Sequence, residues 1–237
     1  MNGFKHCGGS IISRYFVLTA GHCIQSRLNY PVNSYSVLSG TNNWQIGGKI
    51  HKIAVMILHG GYTVINQISH NDIGLVRVQE PFEFGETTMP IQLFNQDEEF
   101  YSMNYQDWGV VSGWGKYENY DYLPYLRAVT IPILQKMFCW QHLQRIKIQE
   151  RKICAGTKGR DACSGDSGAP LVIRNRQIGI VSNGAKYPYC GKIGFYTNVA
   201  MFRNWIDEYI ESEKYLIGKN TSYGYLLIPS YLIKYGK

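Results

Sequence analysis

A chain of 237 residues, 45% hydrophobic and 17% charged, suits one large β domain or two smaller ones and is too apolar to stay disordered. No apolar run reaches the ~18–20 residues of a bilayer-spanning helix, so no transmembrane segment is expected. The net charge of +7 is uneven: no acid precedes Asp72, and Lys136–Arg160 sets Arg145, Lys147, Arg151, Lys152 and Lys158 against Glu150 alone. That stretch reads as a solvated basic surface or, alternatively, as a contact for an acidic partner such as a sulfated glycan or an acidic protein. No nucleic-acid-binding pattern accompanies it.

In chain order, short apolar runs between turn signals predict strands at Ser10–Ser13, Tyr15–Thr19, Tyr35–Ser39, Ile50–Leu58 and Ile73–Val78. After the polar, acidic stretch Phe94–Gln106, which reads as a linker, further strands are predicted at Val110–Ser112, Ala128–Ile133, Pro170–Ile173 and Ile178–Ser182. One amphipathic helix follows: Phe202, Trp205, Ile206, Tyr209 and Ile210 recur at helical spacing, with Arg203, Asp207, Glu208 and Glu211 on the other face. The fold class is therefore all-β with a helix near the end. The 6 cysteines include no CxxC pair, which argues against zinc and for a disulfide framework in an oxidising compartment.

Three segments carry chemistry. Thr19-Ala20-Gly21-His22-Cys23 sets a histidine beside a cysteine, Asn71-Asp72-Ile73-Gly74-Leu75 sets a carboxylate at the head of an apolar strand, and Asp161-Ala162-Cys163-Ser164-Gly165-Asp166-Ser167-Gly168-Ala169-Pro170 sets a serine in a glycine-flanked turn. Alone each is weak; in the order His, Asp, Ser they resemble the chymotrypsin-like (trypsin-fold) serine peptidases from Cys7 to about Ile210. Cys7–Ser13, Ser112-Gly113-Trp114-Gly115 and Ile153-Cys154-Ala155-Gly156 resemble further stretches of that family.

The resemblance implies two antiparallel Greek-key barrels, the first with a truncated opening strand region. Residues 1–93 would carry His22 and Asp72, 94–106 the linker, 107–199 Ser167 and the specificity pocket, 200–212 the helix, and 213–237 a tail unlike the family. It implies the pairs Cys7–Cys23, Cys139–Cys154 and Cys163–Cys190. It also implies Ser167 as nucleophile, His22 as general base and Asp72 as the acid that orients the imidazole, with the Gly165 and Ser167 N–H groups as oxyanion donors.

Asp161 matches the floor of the family's primary specificity pocket, with Ser182, Gly184 and Gly194 along the substrate-binding walls, which implies cleavage after Arg or Lys. Two departures bear on this. Ala185–Tyr189 lengthens the loop before Cys190 so that Lys186 or Lys192 could approach Asp161, and Asn183 stands where an aromatic shelf is usual. Ala169 replaces a second glycine, a change small enough to be tolerated. Active members begin with an apolar residue and Val-Gly-Gly, whose freed amine meets the acid before the serine, here Asp166. The six residues before Cys7 contain neither that start nor an apolar signal segment. As it stands the chain is thus expected to behave like a zymogen, with Asp166 turned outward or protonated and the Gly165 N–H displaced.

Gly40–Lys52, where the family's calcium loop falls, has no acidic side chain, so neither metal nor cofactor is expected. Asn220-Thr221-Ser222 is an N-glycosylation sequon within a basic, apolar-dotted tail. The whole reads as a secreted, monomeric serine endopeptidase acting on protein or peptide substrates and open to proteinaceous inhibitors, with no nucleic acid among its partners. A catalytically silent homologue serving as a binding or regulatory protein is the alternative.

Overall fold

The computed structural model describes residues 7–95, 107–116, 122–135, 151–184 and 193–217, with side chains to residue 212. Cys139, Cys190, Lys186, Lys192, Asn220, most of the 94–106 stretch and the tail beyond 217 lie outside the described residues.

Two β-sheets dominate. The first contains β1 (Ser10–Ile11), β2 (Phe16–Thr19), β3 (Ser36–Ser39), β4 (Lys49–Leu58) and, after the small hairpin β5 (Thr63–Ile65)–β6 (Ile68–His70), β7 (Gly74–Val78). Its order is β1-β2-β7-β4-β3, all antiparallel. The second contains β8 (Gln92–Leu93), β9 (Trp108–Gly113), β10 (Arg127–Leu134), β11 (Lys152–Ala155), β12 (Pro170–Ile173), β13 (Arg176–Asn183) and β14 (Gly194–Asn198). Here the order is β12-β9-β10-β11-β14-β13-β8, and pairing of β12 with β13 closes it into a barrel. The all-β class is as expected.

The strands follow their side chains. In β10, Ile131 and Ile133 point inward while neighbours face out, a period of two that suits a strand with one wet face. β2 and β14 are buried throughout; Phe16-Val17-Leu18 of β2 reads as an apolar run, as a strand covered on both faces does, whereas β14 buries Thr197 and Asn198 as well.

Three features depart from the expectation. Gln92–Leu93 pairs with β13 in the second sheet, and Phe94 N–H donates to Gln177 O (3.0 Å), because Leu93 and Phe94 bury their apolar side chains there. The β5–β6 hairpin turns on Asn66 and Gln67, both at positive φ (49° and 65°), a tight turn without the glycine that would announce it. The C-terminal helix α2 (Arg203–Ile217), entered through a 3-10 turn at Ala200–Phe202, runs past residue 212. Among the described residues no helix is long and apolar enough to cross a membrane.

One apolar cluster couples everything near the site. It joins Phe16, Leu18, Ala20, Ile73 and Leu75 of the first sheet and its loops to Ile180 of β13 and to Val199, Phe202 and Ile206 at the helix. The backbone on either side of His22 and Asp72 is therefore seated on side chains from both halves of the chain. Ile206→Ala, which empties the centre of this cluster, is expected to cost about 2–5 kcal/mol in urea unfolding; a loss under ~0.5 kcal/mol would show that the helix is not part of the core.

Candidate active site

His22 lies in the first turn of the short helix α1 (Gly21–Gln25), directly after β2. The opening N–H groups of a helix have no partner within it. Here the backbone N–H of His22 donates to Asp72 Oδ1 (2.7 Å), and its ring Nδ1 donates to Asp72 Oδ2 (2.9 Å). Asp72 thus grips both the backbone and the ring of His22.

The loop that presents Asp72 is built for the purpose. Asn71 sits at φ 46°, a left-handed conformation that Asn tolerates better than most residues, and Ile73 N–H returns to Asn71 O (2.9 Å), closing a three-residue turn on Asp72. Asn71 is itself fastened by its Nδ2 donating to Gly61 O (2.7 Å) and by accepting from Arg151 Nη1 (2.6 Å). Asp72 is fully buried. Burial pushes its carboxyl upward, but the hydrogen bond and charge of His22, the charge of Lys152 and a hydrogen bond from Ser182 together carry it below the ordinary carboxylate value. An ionised Asp72 makes Nδ1 the protonated ring nitrogen and leaves Nε2 with a lone pair.

Ser167 sits in the turn Cys163–Gly168. Gly165 (φ 98°) and Gly168 (φ 83°) take conformations that side-chain-bearing residues rarely adopt. A Cβ on Gly168 would also fall 2.3 Å from Thr19 Oγ1 and 2.4 Å from Gly8 O, so the serine turn and the histidine strand meet with no space between them. Gly8 N–H donates to Ser167 O (2.7 Å), Thr19 Oγ donates to Gly8 O (2.8 Å), and Cys7 is bonded to Cys23, next to His22, across a Cα–Cα distance of 6.3 Å. Closing a loop of this size stabilises by roughly 3 kcal/mol in the chain-entropy picture. The bond also holds the histidine and serine loops to one another.

His22 Nε2 has Cys23 Sγ at 3.8 Å, and among the described residues no hydrogen bond joins His22 to Ser167. Such bonds are often long before substrate arrives. Cys7, His22 and Cys23 gather within metal-binding range, but the disulfide removes the thiolates a metal would need. Cys154 and Cys163 are also disulfide-bonded; their expected partners lie outside the described residues.

Asp166 is not turned outward. Its Oδ1 accepts from Gly115 N–H (2.7 Å) and its Oδ2 from Cys163 N–H (3.0 Å), backbone donors that stand in for water at the half-buried carboxylate.

Asp161 lies between β14 and the end of β13. Its Oδ1 accepts from Tyr196 Oη (3.0 Å) and from Ala162 N–H (2.8 Å), while its buried Oδ2 has no hydrogen-bond partner among the described residues. A Cβ on Gly194 would fall 2.5 Å from Asp161 Oδ1, and one on Gly184 3.8 Å from Oδ2, so glycine at 194 is what leaves the carboxylate uncovered. Burial raises its proton affinity to about 7; the Tyr196 and Ala162 hydrogen bonds offset part of this and the charge of Asp166 adds to it.

Ser182, expected along the substrate-binding walls, is buried and donates its hydroxyl to Asp72 Oδ2, since a carboxylate without water requires another donor. One expectation needs correction. Lys152, counted with the basic surface, is buried, and its ammonium donates to Ser182 Oγ and, at 3.4 Å, to Thr197 Oγ1. Thr197 in turn donates to Asp72 O (2.8 Å). Neither Lys152 nor Thr197 stood out as a site residue; the available signal was a lone cation opening the otherwise apolar run Lys152–Ala155. Asn183, in place of an aromatic shelf, accepts from Ser69 N–H (3.1 Å).

The family described as Trypsin matches residues 1–206. The chain belongs to the trypsin family. It is 34% identical to hypodermin-B of Hypoderma lineatum, over 89% of this chain and 80% of that protein. To a trypsin of Phaedon cochleariae it is 35% identical, over 86% and 79% respectively. Among solved structures it resembles neuropsin, a serine protease expressed in the limbic system of mouse brain, with a TM-score of 0.75 and 30% identity, covering 86% of this chain and 88% of that one. As a member of the trypsin family the chain is a trypsin-like serine endopeptidase, a hydrolase of peptide bonds.

The buried Asp161 has a consequence for stability. An acid whose proton affinity rises on folding binds more protons folded than unfolded between its ordinary 3.8 and about 7, so stability falls as pH climbs through that window. Asp161→Asn is expected to match the parent near pH 4 and to exceed it by about 2–4 kcal/mol at pH 8 in urea unfolding. An equal difference at both pH values would contradict a raised affinity.

Proposed function

We propose that the chain is a secreted endopeptidase that cleaves after Arg and Lys, with Ser167 as nucleophile, His22 as base and Asp72 as orienting acid. The observation that carries the specificity is Asp161, whose buried Oδ2 has no partner among the described residues, beside glycines at 184 and 194. A carboxylate in such a place lacks a cation, and a guanidinium or ammonium at the end of a long side chain supplies one. Lys and Arg substrates thereby gain a charge pair in a low-dielectric pocket, which an apolar side chain cannot offer.

The chemistry proceeds from the protonation states. His22 Nε2 takes the Ser167 hydroxyl proton as Oγ attacks the scissile carbonyl; Asp72, through Nδ1, stabilises the imidazolium so formed. The carbonyl oxygen gains a negative charge, and the N–H groups of Gly165 and Ser167 are the donors suited to receive it, a contact worth roughly 3–4 kcal/mol. The imidazolium then gives its proton to the leaving amine, leaving an acyl ester on Ser167. Water, deprotonated by the same nitrogen, cleaves that ester and restores the enzyme.

Asp166 governs the loop in this reading. Its carboxylate holds Gly115 and Cys163 together, so whatever draws it away moves Gly165 and Ser167 with it. Disulfide bonding at Cys7, Cys23, Cys154 and Cys163 supports an oxidising, extracellular setting. Peptide segments that present Arg or Lys are the partners, whether as substrates or within protein inhibitors.

Steady-state hydrolysis tests this. With Asp166 held by Gly115 and Cys163 rather than turned outward, the full chain should be active in place of the zymogen-like behaviour expected from its sequence. It should favour Arg and Lys over Phe at the cleaved position by more than ~100-fold in kcat/KM, and Ser167→Ala should lower kcat by about 10⁴-fold or more. Equal turnover of the Phe substrate would remove the specificity; activity surviving Ser167→Ala would remove the mechanism. Benzamidine, an amidinium, should bind with a Kd that weakens up to about tenfold per pH unit as pH drops below about 7, where Asp161 takes up a proton. A Kd flat from pH 5 to 8 would detach Asp161 from the pocket.

A further inference from the structure

Beyond the Ser182 hydroxyl that meets Asp72, the protein interior holds a cation. Lys152 opens β11 and is buried at 6% exposure. Its ammonium touches two hydroxyls, Ser182 Oγ of β13 and Thr197 Oγ1 of β14. Those are the two hydroxyls that bind Asp72, Ser182 at the carboxylate and Thr197 at the backbone carbonyl. An ammonium has donors only, so Ser182 Oγ receives from it and gives its single proton outward, to the charged and nearer Asp72 Oδ2 in preference to the neutral Asn183 Oδ1 at 3.0 Å. The direction of the hydrogen-bond line Lys152–Ser182–Asp72–His22 is set by its far end.

We propose that Lys152 is a positioning residue of this peptidase: its ammonium orients Ser182 and Thr197 onto Asp72, and its charge lowers the affinity of the joined His22–Asp72 pair for an extra proton. The proposal rests on the triad reading above. Its consequence is that the base stays unprotonated, and the enzyme active, to a lower pH than with a neutral residue at 152. Two unit charges about ten ångströms apart at an effective dielectric near 20 interact strongly enough to move a titration by about one pH unit.

The surroundings fit the assignment. Among the described residues Asp72 is the one charge that acts on Lys152, raising its proton affinity against a larger lowering by burial, and the balance places the ammonium at about 8. It therefore remains charged through the range in which an imidazole takes up a proton. The other ionisable groups near Asp72 do not replace it. Tyr62 is pushed up, first by burial and then by Asp72 against a lowering hydrogen bond with Ser69, and stays neutral. Arg151, next along the chain, gives its guanidinium to Asn71. Tyr196 of β14 gives its hydroxyl to Asp161, and at the Lys152 ammonium β13 and β14 bring only the hydroxyls of Ser182 and Thr197.

The test is kcat/KM of the full chain against pH from 5 to 9 on an Arg ester, for the parent, Lys152→Gln and Lys152→Met, with active-site titration to count folded enzyme. Gln retains a donor to Ser182 without charge, is near lysine in size, and covers the case in which the apolar variant is unstable. Both variants should shift the acid limb upward by about one pH unit, a loss approaching tenfold at pH 6, and should approach the parent above pH 8, where Lys152 itself loses its proton. Met should also lower the plateau, and Gln should restore it. Acid limbs that coincide with the parent's, with or without a uniform fall in kcat, would overturn the proposal and leave Lys152 a packing residue. A parent chain with no Ser167-dependent hydrolysis would overturn the triad reading itself.

Discussion

A carboxylate taken wholly out of water keeps its charge only if donors meet it on every side, and the arrangement around Asp72 satisfies that condition. The His22 backbone and ring, the Ser182 hydroxyl and the Lys152 ammonium behind it come from α1, β13 and β11, elements far apart in sequence. Removing one donor would leave part of a buried charge unmet, which is among the costlier defects a protein can carry. The two sheets, the Cys7–Cys23 bond and the apolar cluster under Ala20 and Ile73 can be viewed as the frame that brings those donors to one point.

Asp161 is buried among similar strands and behaves in the opposite way. Among the described residues it receives two hydrogen bonds and no cation, and its proton affinity rises, whereas Asp72 receives cations and its affinity falls. Burial is common to both; the difference lies in what stands beside each carboxylate. One acid is completed from within the protein. The other is left short of a partner, at some expense in stability, and that shortage is what a basic substrate side chain can relieve. Stability given up at a site in return for recognition is a recurring pattern in enzymes.

Much of this was legible in the residues. The strand runs, the C-terminal helix and the order His22, Asp72, Ser167 follow from periodicity and motif, because covered faces and glycine-flanked turns impose local signatures. What stayed hidden depends on partners remote in sequence. The turn at Asn66-Gln67 takes positive φ without glycine, so nothing local announces the β5–β6 hairpin. Gly194–Asn198 is buried throughout and shows no alternation. Lys152 looked like one of several surface cations, since the acid that accounts for it lies 80 residues earlier, counting from Asp72 to Lys152. Ser182 likewise reads as a pocket residue until Asp72 is placed beside it.

The most direct measurement is covalent labelling of the full chain with a fluorophosphonate, followed by mass spectrometry of the adduct, in the parent and in His22→Ala. One proton-transfer line from Asp72 through His22 to Ser167 predicts a single adduct on Ser167, formed at a rate that collapses when the imidazole is removed. An adduct on another residue, or labelling of Ser167 at an undiminished rate without His22, would contradict it.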